Sequence, residues 1–356
     1  MTEKRAVIAI TKRGIEIAST IIDKLPYTEA YAPVKFENSS ARITNWFKEP
    51  TSQLVPALFK ECDALILIFS LGAAIRLIAP VVVDKKTDPA VIVVDDGANF
   101  AISALSGHLG GANSLAHLIS TFFENCTPVI TTAADVNKTV AVDLLGQEFS
   151  WTIENFDNVT KVSAMMVNEE RIGIYQETGE KNWWQNKPLP SNVDIVDSLD
   201  ELKSSRFKGA LVISDRLITD PTILERSVIF RPKSLVVGLG IHRDTKAEVV
   251  ENAVRSSIRN YGLSFDSIRN IASINRGAIV EGLKYFSEQH KIPIEVYDRN
   301  TLDRVAVPNP SKIVKKFEGT SSVSEASSIL SSKGELVVPK QKYPPDLTIA
   351  IARVRF

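Results

Sequence analysis

Strand-length blocks of consecutive apolar residues alternate along this chain with stretches whose apolar positions recur at i, i+3, i+4 and i+7. That alternation predicts an α/β protein. In the first part, strands are expected at 5–10, 64–70, 90–94, 100–105 and 128–132. Helices are expected at 14–25, after Gly72, and from Ala112, where Leu115, Ala116, Ile119, Phe122 and Phe123 share one face. The strand blocks are Val/Ile-rich with little alternation, as in a mostly parallel sheet covered on both faces.

Residues 148–232 have another texture. They hold three of the four tryptophans (Trp151, Trp183, Trp184) and a polar, Pro-bearing connection at 177–192 that is a candidate ligand cover. Short strands at 171–176, 210–214 and 228–231 predict a small α/β segment. A new βα pattern opens at Ser234, with strands at 235–238, 271–274, 293–297, 335–338 and 347–354. Thr245-Lys246-Ala247-Glu248 and Ser322-Val323-Ser324-Glu325 both have the form of a capping box at a helix start. The expected division is an N-terminal α/β domain with a mostly parallel sheet over 1–147, a small α/β middle segment over 148–232, and a C-terminal α/β domain over 233–356.

Composition narrows the function classes. Lys+Arg and Asp+Glu both number 42, so nothing in the totals draws the chain to nucleic acid or an anionic membrane, and an anionic ligand must be held locally. The two cysteines, Cys62 and Cys126, have no metal-ligand spacing, as expected in a reducing cytoplasm. The N-terminal residues run directly into a strand without the regions of a signal peptide. The apolar run 64–83 is interrupted by Arg76 and Pro80 and reads as a buried strand and helix, not a membrane span. A soluble cytoplasmic protein is expected.

The richest chemistry lies at 86–113. Two strands flank an Asp95-Asp96-Gly97 turn, and the chain then breaks into Ser106-Gly107-His108-Leu109-Gly110-Gly111 before a helix begins at Ala112 and Asn113. Glycines and a histidine at a helix start put backbone N–H groups beside a titratable side chain, which suits an anion or a developing oxyanion. A G-x-S-x-G elbow is absent, with Ala104 in its first position, so a serine nucleophile is disfavoured. His108 and His117 are nine residues apart, about 180° around a helix, and no HExxH or cysteine pair occurs, so no protein metal site is expected.

Other candidates flank strands. Gly72 and Arg76 follow the 64–70 strand, Lys85 and Lys86 lie in a charged loop, and Thr131, Thr132 and Asp135 leave a strand where open α/β sheets bind ligands. Gly238-Leu239-Gly240-Ile241-His242-Arg243 follows a strand but lacks the third glycine of a dinucleotide fingerprint. It reads as a backbone anion site completed by Arg243, or as a plain tight turn.

These strings, in this order, resemble the cobalt-precorrin-5A hydrolase family of anaerobic cobalamin biosynthesis. The resemblance rests on Gly72 to Pro80 with Arg76, Asp88-Pro89-Ala90-Val91, Ser106 to Asn113 and Thr131 to Asp135. Gly238-Leu239-Gly240 with Arg243 and Thr245, Val307-Pro308-Asn309-Pro310-Ser311 and Glu335 to Lys342 complete it. It spans nearly the whole chain and is weakest in the middle. Two departures stand out: His242 takes the place of a cysteine, and Asn275-Arg276-Gly277 lacks a lysine and acidic pattern.

The resemblance implies hydrolysis of the δ-lactone of a cobalt tetrapyrrole with release of acetaldehyde, the cobalt arriving with the substrate and no cofactor of the protein's own. His108 is then the base for water or the proton donor to the departing alkoxide. The N–H groups of Gly110 and Gly111 hold the oxyanion, and Asp96 orients His108 or water. Ser106, Gly107, Asn113 and the loop residues Gly72, Arg76, Lys85, Lys86, Thr131, Thr132 and Asp135 contact substrate. Gly238, Gly240, His242, Arg243, Thr245 and Lys340 add contacts from the C-terminal part, and the macrocycle's carboxylates need such spaced cations and N–H donors. Partners are the tetrapyrrole and, beyond it, a second copy of the chain or transient contacts with other enzymes of the pathway. Two alternatives remain open: a non-catalytic tetrapyrrole carrier, and a nucleotide-dependent enzyme built on Gly238-x-Gly240.

Overall fold

The structure, a computed structural model, describes residues 4–37, 42–137, 139–184, 188–345 and 347–356. Residues 1–3 of the N-terminus and 185–187 of the 177–192 connection lie outside the described residues. The chain divides into two compact units, Met1–Leu144 and Leu145–Phe356.

The first unit is a seven-stranded sheet with strands β1 (Arg5–Ala9), β2 (Thr28–Pro33), β3 (Asn45–Phe47), β4 (Ala64–Ile68), β5 (Ala90–Val94), β6 (Phe100–Leu105) and β7 (Thr127–Val129) in the order β3-β2-β1-β4-β5-β6-β7. Helices α1 (Lys12–Lys24) and α4 (Ala112–Ser120) cover one face, and α2 (Thr51–Glu61) and α3 (Leu71–Ile78) the other; α5 (Ala133–Asn137) follows β7. The apolar runs show why both faces need cover. Val7, Ile66, Ile68 and Ile92 pack under Ile15, Ile21, Leu115 and Ile119 on one side, while Ile8, Leu65, Leu67 and Val93 pack under Val55, Leu58, Phe59 and Ile78 on the other. The apolar run at 64–83 is thus a central strand and a covering helix. Among the described residues, no helix is long and apolar enough to cross a membrane.

One strand decides the geography of this unit. The strands from β3 to β5 are parallel, but β6 turns back antiparallel to β5, with Val94 opposite Ala101 and Val91 opposite Leu105. Strand β7 then runs parallel to β6. The loops after β6 and β7 therefore leave the sheet at the edge where β4 and β5 begin, opposite the edge where β4 and β5 end.

The second unit holds two five-stranded sheets. The first contains β8 (Thr152–Ile153), β9 (Ile172–Gln176), β10 (Val193–Val196), β11 (Gly209–Ile213) and β12 (Ser227–Arg231) in the order β10-β9-β11-β12-β8, with α6 (Val159–Val167) and α7 (Pro221–Arg226) packed on it. The second contains β13 (Leu235–Ile241), β14 (Ile268–Ile274), β15 (Ile294–Tyr297), β16 (Glu335–Tyr343) and β17 (Leu347–Arg353) in the order β15-β14-β13-β17-β16. Its helices are α8 (Ala247–Asn260), α9 (Glu281–His290), α10 (Arg299–Asp303), α11 (Lys312–Glu318) and α12 (Val323–Ser332). An ionic seam ties the two sheets together. Fully buried Asp215 accepts from both Nε and Nη2 of Arg353 on β17, at 2.8 and 2.6 Å, and from the Ser234 hydroxyl at 2.8 Å.

Several expectations change here. Strand β13 runs on through Ile241, so Gly238 and Gly240 are central ladder positions opposite Ala350 and Thr348, not a turn before a helix. A Cβ on Gly238 would collide with the carbonyl oxygen of Ser324 on α12, so this glycine serves close packing of helix on strand. The capping box expected at Ser322 does not form. Helix α8 starts beyond Thr245, with Lys246 as an N-cap that makes no side-chain bond, and Thr245 is buried. Ser322 caps α12 without a side-chain bond, because the Glu325 carboxylate reaches away from the helix start to the backbone and side-chain N–H groups of Asn309 and the backbone N–H of Lys340.

Candidate active site

At the β6/β7 edge of the first unit, the loop after β6 closes tightly on itself. Ser106 takes a left-handed conformation with φ of 54°, and its hydroxyl donates to the Asp88 carbonyl at 2.9 Å. Gly110 then passes so close to Ser106 that a Cβ would overlap it, and Gly111 enters the helix at φ of 82°. The N–H groups of Gly111, Ala112 and Asn113 donate to the carbonyls of His108, Ser106 and Gly107 at 3.0, 3.2 and 2.9 Å. The open anion cradle expected at this helix start is therefore largely closed by its own loop, and the Gly111 N–H is not an oxyanion donor in this geometry.

The loop instead delivers one side chain. His108, whose side chain is 10% exposed, sits between two carboxylates: Nδ1 lies 3.1 Å from Asp143 Oδ1, and Nε2 lies 3.0 Å from Asp135 Oδ2. Ionised carboxylates only accept, so a ring that satisfies both must donate from both nitrogens, which is the imidazolium. The hydrogen bond that His108 donates to Asp143 accordingly raises its pKa; burial opposes this, and Asp135 adds to the rise. Because the carboxylates sit on opposite ring nitrogens, they do not converge on one point as metal ligands would.

A second layer fixes Asp135. The buried Asn113 amide donates to Asp135 Oδ2 at 2.6 Å and to Thr132 Oγ1 at 2.9 Å, and its carbonyl oxygen accepts from Ser103 at 2.7 Å. Gly107 leaves room for that amide. The loop thus brings Ser106, Gly107, His108, Gly110, Gly111, Asn113, Thr132 and Asp135 together, with Thr131 adjacent and Lys85 and Lys86 in the loop that leads into β5.

Gly72, Arg76 and Asp96 lie elsewhere. They follow the C-terminal ends of β4 and β5, a strand length of roughly 15 Å from the histidine's edge at ~3.3 Å per residue. The Asp96 carboxylate accepts from Thr11 Oγ1 at the start of α1, and Arg76 donates to the Gly72 carbonyl at 3.2 Å. Asp143 and Asp135, not Asp96, orient His108.

The second unit contains a separate cleft. A cavity of about 590 Å³ is lined by Gly240, Lys340 and Lys342 from the sheet, by His242 just beyond β13, and by Ile313, Val314 and Phe317 from α11. An adjoining cavity of about 320 Å³ shares His242, Arg276, Phe317 and Glu318 and adds Arg243 and Arg299. Arg276 donates to the Ile241 carbonyl and to Glu318 Oε1, both at 2.5 Å. Lys340 Nζ donates to the Asn309 carbonyl, and burial lowers its pKa. His242, Arg243, Gly240 and Lys340 meet here; Gly238 and Thr245 are not among the lining residues.

Three family profiles match in chain order: "Cobalamin synthesis G N-terminal" over residues 53–135, "Cobalamin biosynthesis central region" over 140–232, and "Cobalamin synthesis G C-terminus" over 235–352. A protein of Priestia megaterium named cobalt-precorrin-5A hydrolase is 37% identical over 99% of this chain and 95% of its own length. This chain belongs to the cobalt-precorrin-5A hydrolase family. A second protein of that name, from Salmonella typhimurium, is 28% identical over 94% of this chain and 93% of its own. A solved structure of a cobalamin biosynthesis protein G homolog from Sulfolobus solfataricus aligns at 20% identity and a TM-score of 0.38, covering 99% and 97% of the two chains.

Sequence reasoning about this cobalt-precorrin-5A hydrolase family member misses several residues that the structure makes prominent. Asp143 lies 35 positions from His108 in an apolar Val-Ala-Val-Asp stretch without any catalytic spacing. Arg276 enters the argument only as a departure from the family pattern. Arg299, Ile313, Phe317 and Glu318 carry no motif, although the alternation of Ile313 and Phe317 with lysines marks α11 as amphipathic.

Proposed function

We propose that this protein opens the δ-lactone of cobalt-precorrin-5A with water and releases acetaldehyde to give cobalt-precorrin-5B; two relatives carry the name cobalt-precorrin-5A hydrolase. The observation that carries the chemical part is His108 held between Asp143 on Nδ1 and Asp135 on Nε2, an arrangement that favours the protonated ring. Lactone hydrolysis moves a proton from water to the departing ring alkoxide. Asp135, the more exposed of the two carboxylates at 45%, takes the water proton as the carbonyl carbon is attacked. His108 gives its Nε2 proton to the alkoxide as the acyl C–O bond breaks, and then recovers one from Asp135 beside it. Asp143 holds the ring from Nδ1, in the way a buried carboxylate orients a catalytic histidine. Of the two roles open to His108, the proton donor is the one this geometry favours, because a ring already charged cannot act as a base. The freed hydroxyl then gives up its proton as its C–O bond becomes a carbonyl and the C–C bond to the macrocycle breaks, so that the two-carbon unit leaves as acetaldehyde while the bonding pair stays on the macrocycle and takes up a proton.

The cobalt arrives within the substrate, and the scheme needs no cofactor of the protein's own. The setting is the cytoplasm, with the tetrapyrrole as partner and contacts to a second copy or to neighbouring pathway enzymes as the further interactions. Anaerobic incubation with cobalt-precorrin-5A, assayed for acetaldehyde and for the mass of the corrinoid, tests the reading. Tight corrinoid binding without acetaldehyde would instead identify a carrier.

A further inference from the structure

The cleft of the second unit carries an asymmetry of charge that the composition of the whole chain does not. Arg243, Arg276, Arg299, Lys340 and Lys342 line its two adjoining cavities, and the facing carboxylate is that of Glu318. Over the whole chain, by contrast, positive and negative residues balance. Glu318 stands at the C-terminal end of α11, where the helix dipole is unfavourable to an anion, and its oxygen is aimed at Arg276. The guanidinium is 16% exposed, fixed through Nη1 by the Ile241 carbonyl, and so presents a preoriented Nη2 donor to whatever anion occupies that position.

The same helix offers an apolar surface beside Arg276. Ile313 and Phe317, one turn apart on α11, are 71% and 73% exposed although both line the cleft. Exposing two large apolar side chains side by side has a cost in water that a flat apolar ligand would remove. An aromatic ring, an aliphatic side chain and a fixed guanidinium donor for one carboxylate, ringed by further cations, fit one kind of ligand: a broad macrocycle whose rim carries carboxylates.

We infer that this cleft is a binding site for a carboxylate-bearing tetrapyrrole, in which a ring carboxylate displaces Glu318 from Arg276 while Ile313 and Phe317 cover the ring face. Glu318 is an internal stand-in for the ligand's carboxylate and so sets the affinity. The ligand class, and only that, rests on the proposed function.

The test measures binding of two stable cobalt corrins to the full chain by absorbance titration. Cobyrinic acid has unblocked side-chain carboxylates; cobinamide has them amidated. Glu318→Gln removes the competing charge and keeps the shape, so cobyrinic acid should bind about tenfold tighter, the strength of one charge-assisted hydrogen bond. Cobinamide affinity should stay as in wild type. Phe317→Ala should weaken both corrins. Thermal melting shows that both variants fold. The proposal is overturned if wild type binds no cobyrinic acid, if Glu318→Gln leaves its affinity unchanged or weakens it, or if both corrins respond alike to that substitution. Acetaldehyde release from cobalt-precorrin-5A is read in parallel and separates the two claims. Tightened cobyrinic acid binding without acetaldehyde supports this site and rejects the hydrolase reading. Acetaldehyde release with an unresponsive cleft does the opposite.

Discussion

Replacing Asp143 with asparagine tests the candidate active site most directly. Asparagine keeps the shape and can still accept from Nδ1, but it removes the charge that favours the imidazolium. A hydrogen bond to a charged group is worth about 1.5–3 kcal/mol, and both partners here are well shielded, at 10% and 20% exposed. Losing that much from the charged form lowers the ratio of protonated to neutral His108 by roughly 10- to 100-fold at any given pH. The sign follows from the direction of the shift: His108 has a raised pKa in the folded protein. Its stabilising effect is full below the ordinary histidine value of about 6.5 and is lost as pH rises through the folded value. In Asp143→Asn, the alkaline limb of the kcat/KM profile for acetaldehyde release should therefore move to lower pH, while the acidic plateau changes much less. The melting temperature should fall most near pH 6, with the gap closing on the alkaline side. An alkaline limb that coincides with that of wild type would refute the assignment of Asp143, whatever the variant's overall rate.

Four further outcomes follow from the same geometry. His108→Ala should reduce acetaldehyde release by about 10²–10⁴, the usual range for a general acid, in single-turnover assays. Asp96→Asn, at the opposite edge of the sheet and bonded to Thr11, should leave that rate close to wild type; a loss comparable to that of His108→Ala would undo the separation of the two edges. Gly238→Ala forces a methyl group against the Ser324 carbonyl and should lower the melting temperature of the protein without weakening Arg276 or Lys340 as ligands. Arg353→Ala strands the fully buried Asp215 carboxylate and should cost about 3–5 kcal/mol in urea unfolding of the second unit.

The fold was legible wherever burial speaks through local pattern. Runs such as Ala64–Ile68 and Ala90–Val94 are apolar at every position because helices cover both faces, and that signature needs no knowledge of partners. The strands β2 and β3 escaped notice for the opposite reason. Thr28–Pro33 and Asn45–Phe47 lie toward one end of the sheet, carry Glu29, Pro33 and Asn45, and look like loop until β1 is placed beside them. The misread of Gly238 and Gly240 has a similar cause. Glycine after a short apolar run signals a turn, yet the same residue is required where a helix backbone packs directly on a strand, and only the position of α12 tells the two apart.

For the site, what the sequence lacked was direction. The loop after β6, its glycines and His108 were all visible, and Asp96 stood as a nearby acid only 12 positions before the histidine. Proximity along the chain misled because β6 reverses against β5 and carries the histidine back across the sheet, away from Asp96 and toward residues much later in sequence. Asp135 and Asp143 meet His108 there, since β7 runs parallel to β6 and returns the chain to the same edge. A single antiparallel pairing therefore exchanges the partner that sequence spacing suggests for two carboxylates that favour the charged ring. The functional consequence is specific: with Asp96 as its neighbour, His108 reads equally well as base or acid, whereas with a carboxylate on each nitrogen it is poised to give a proton.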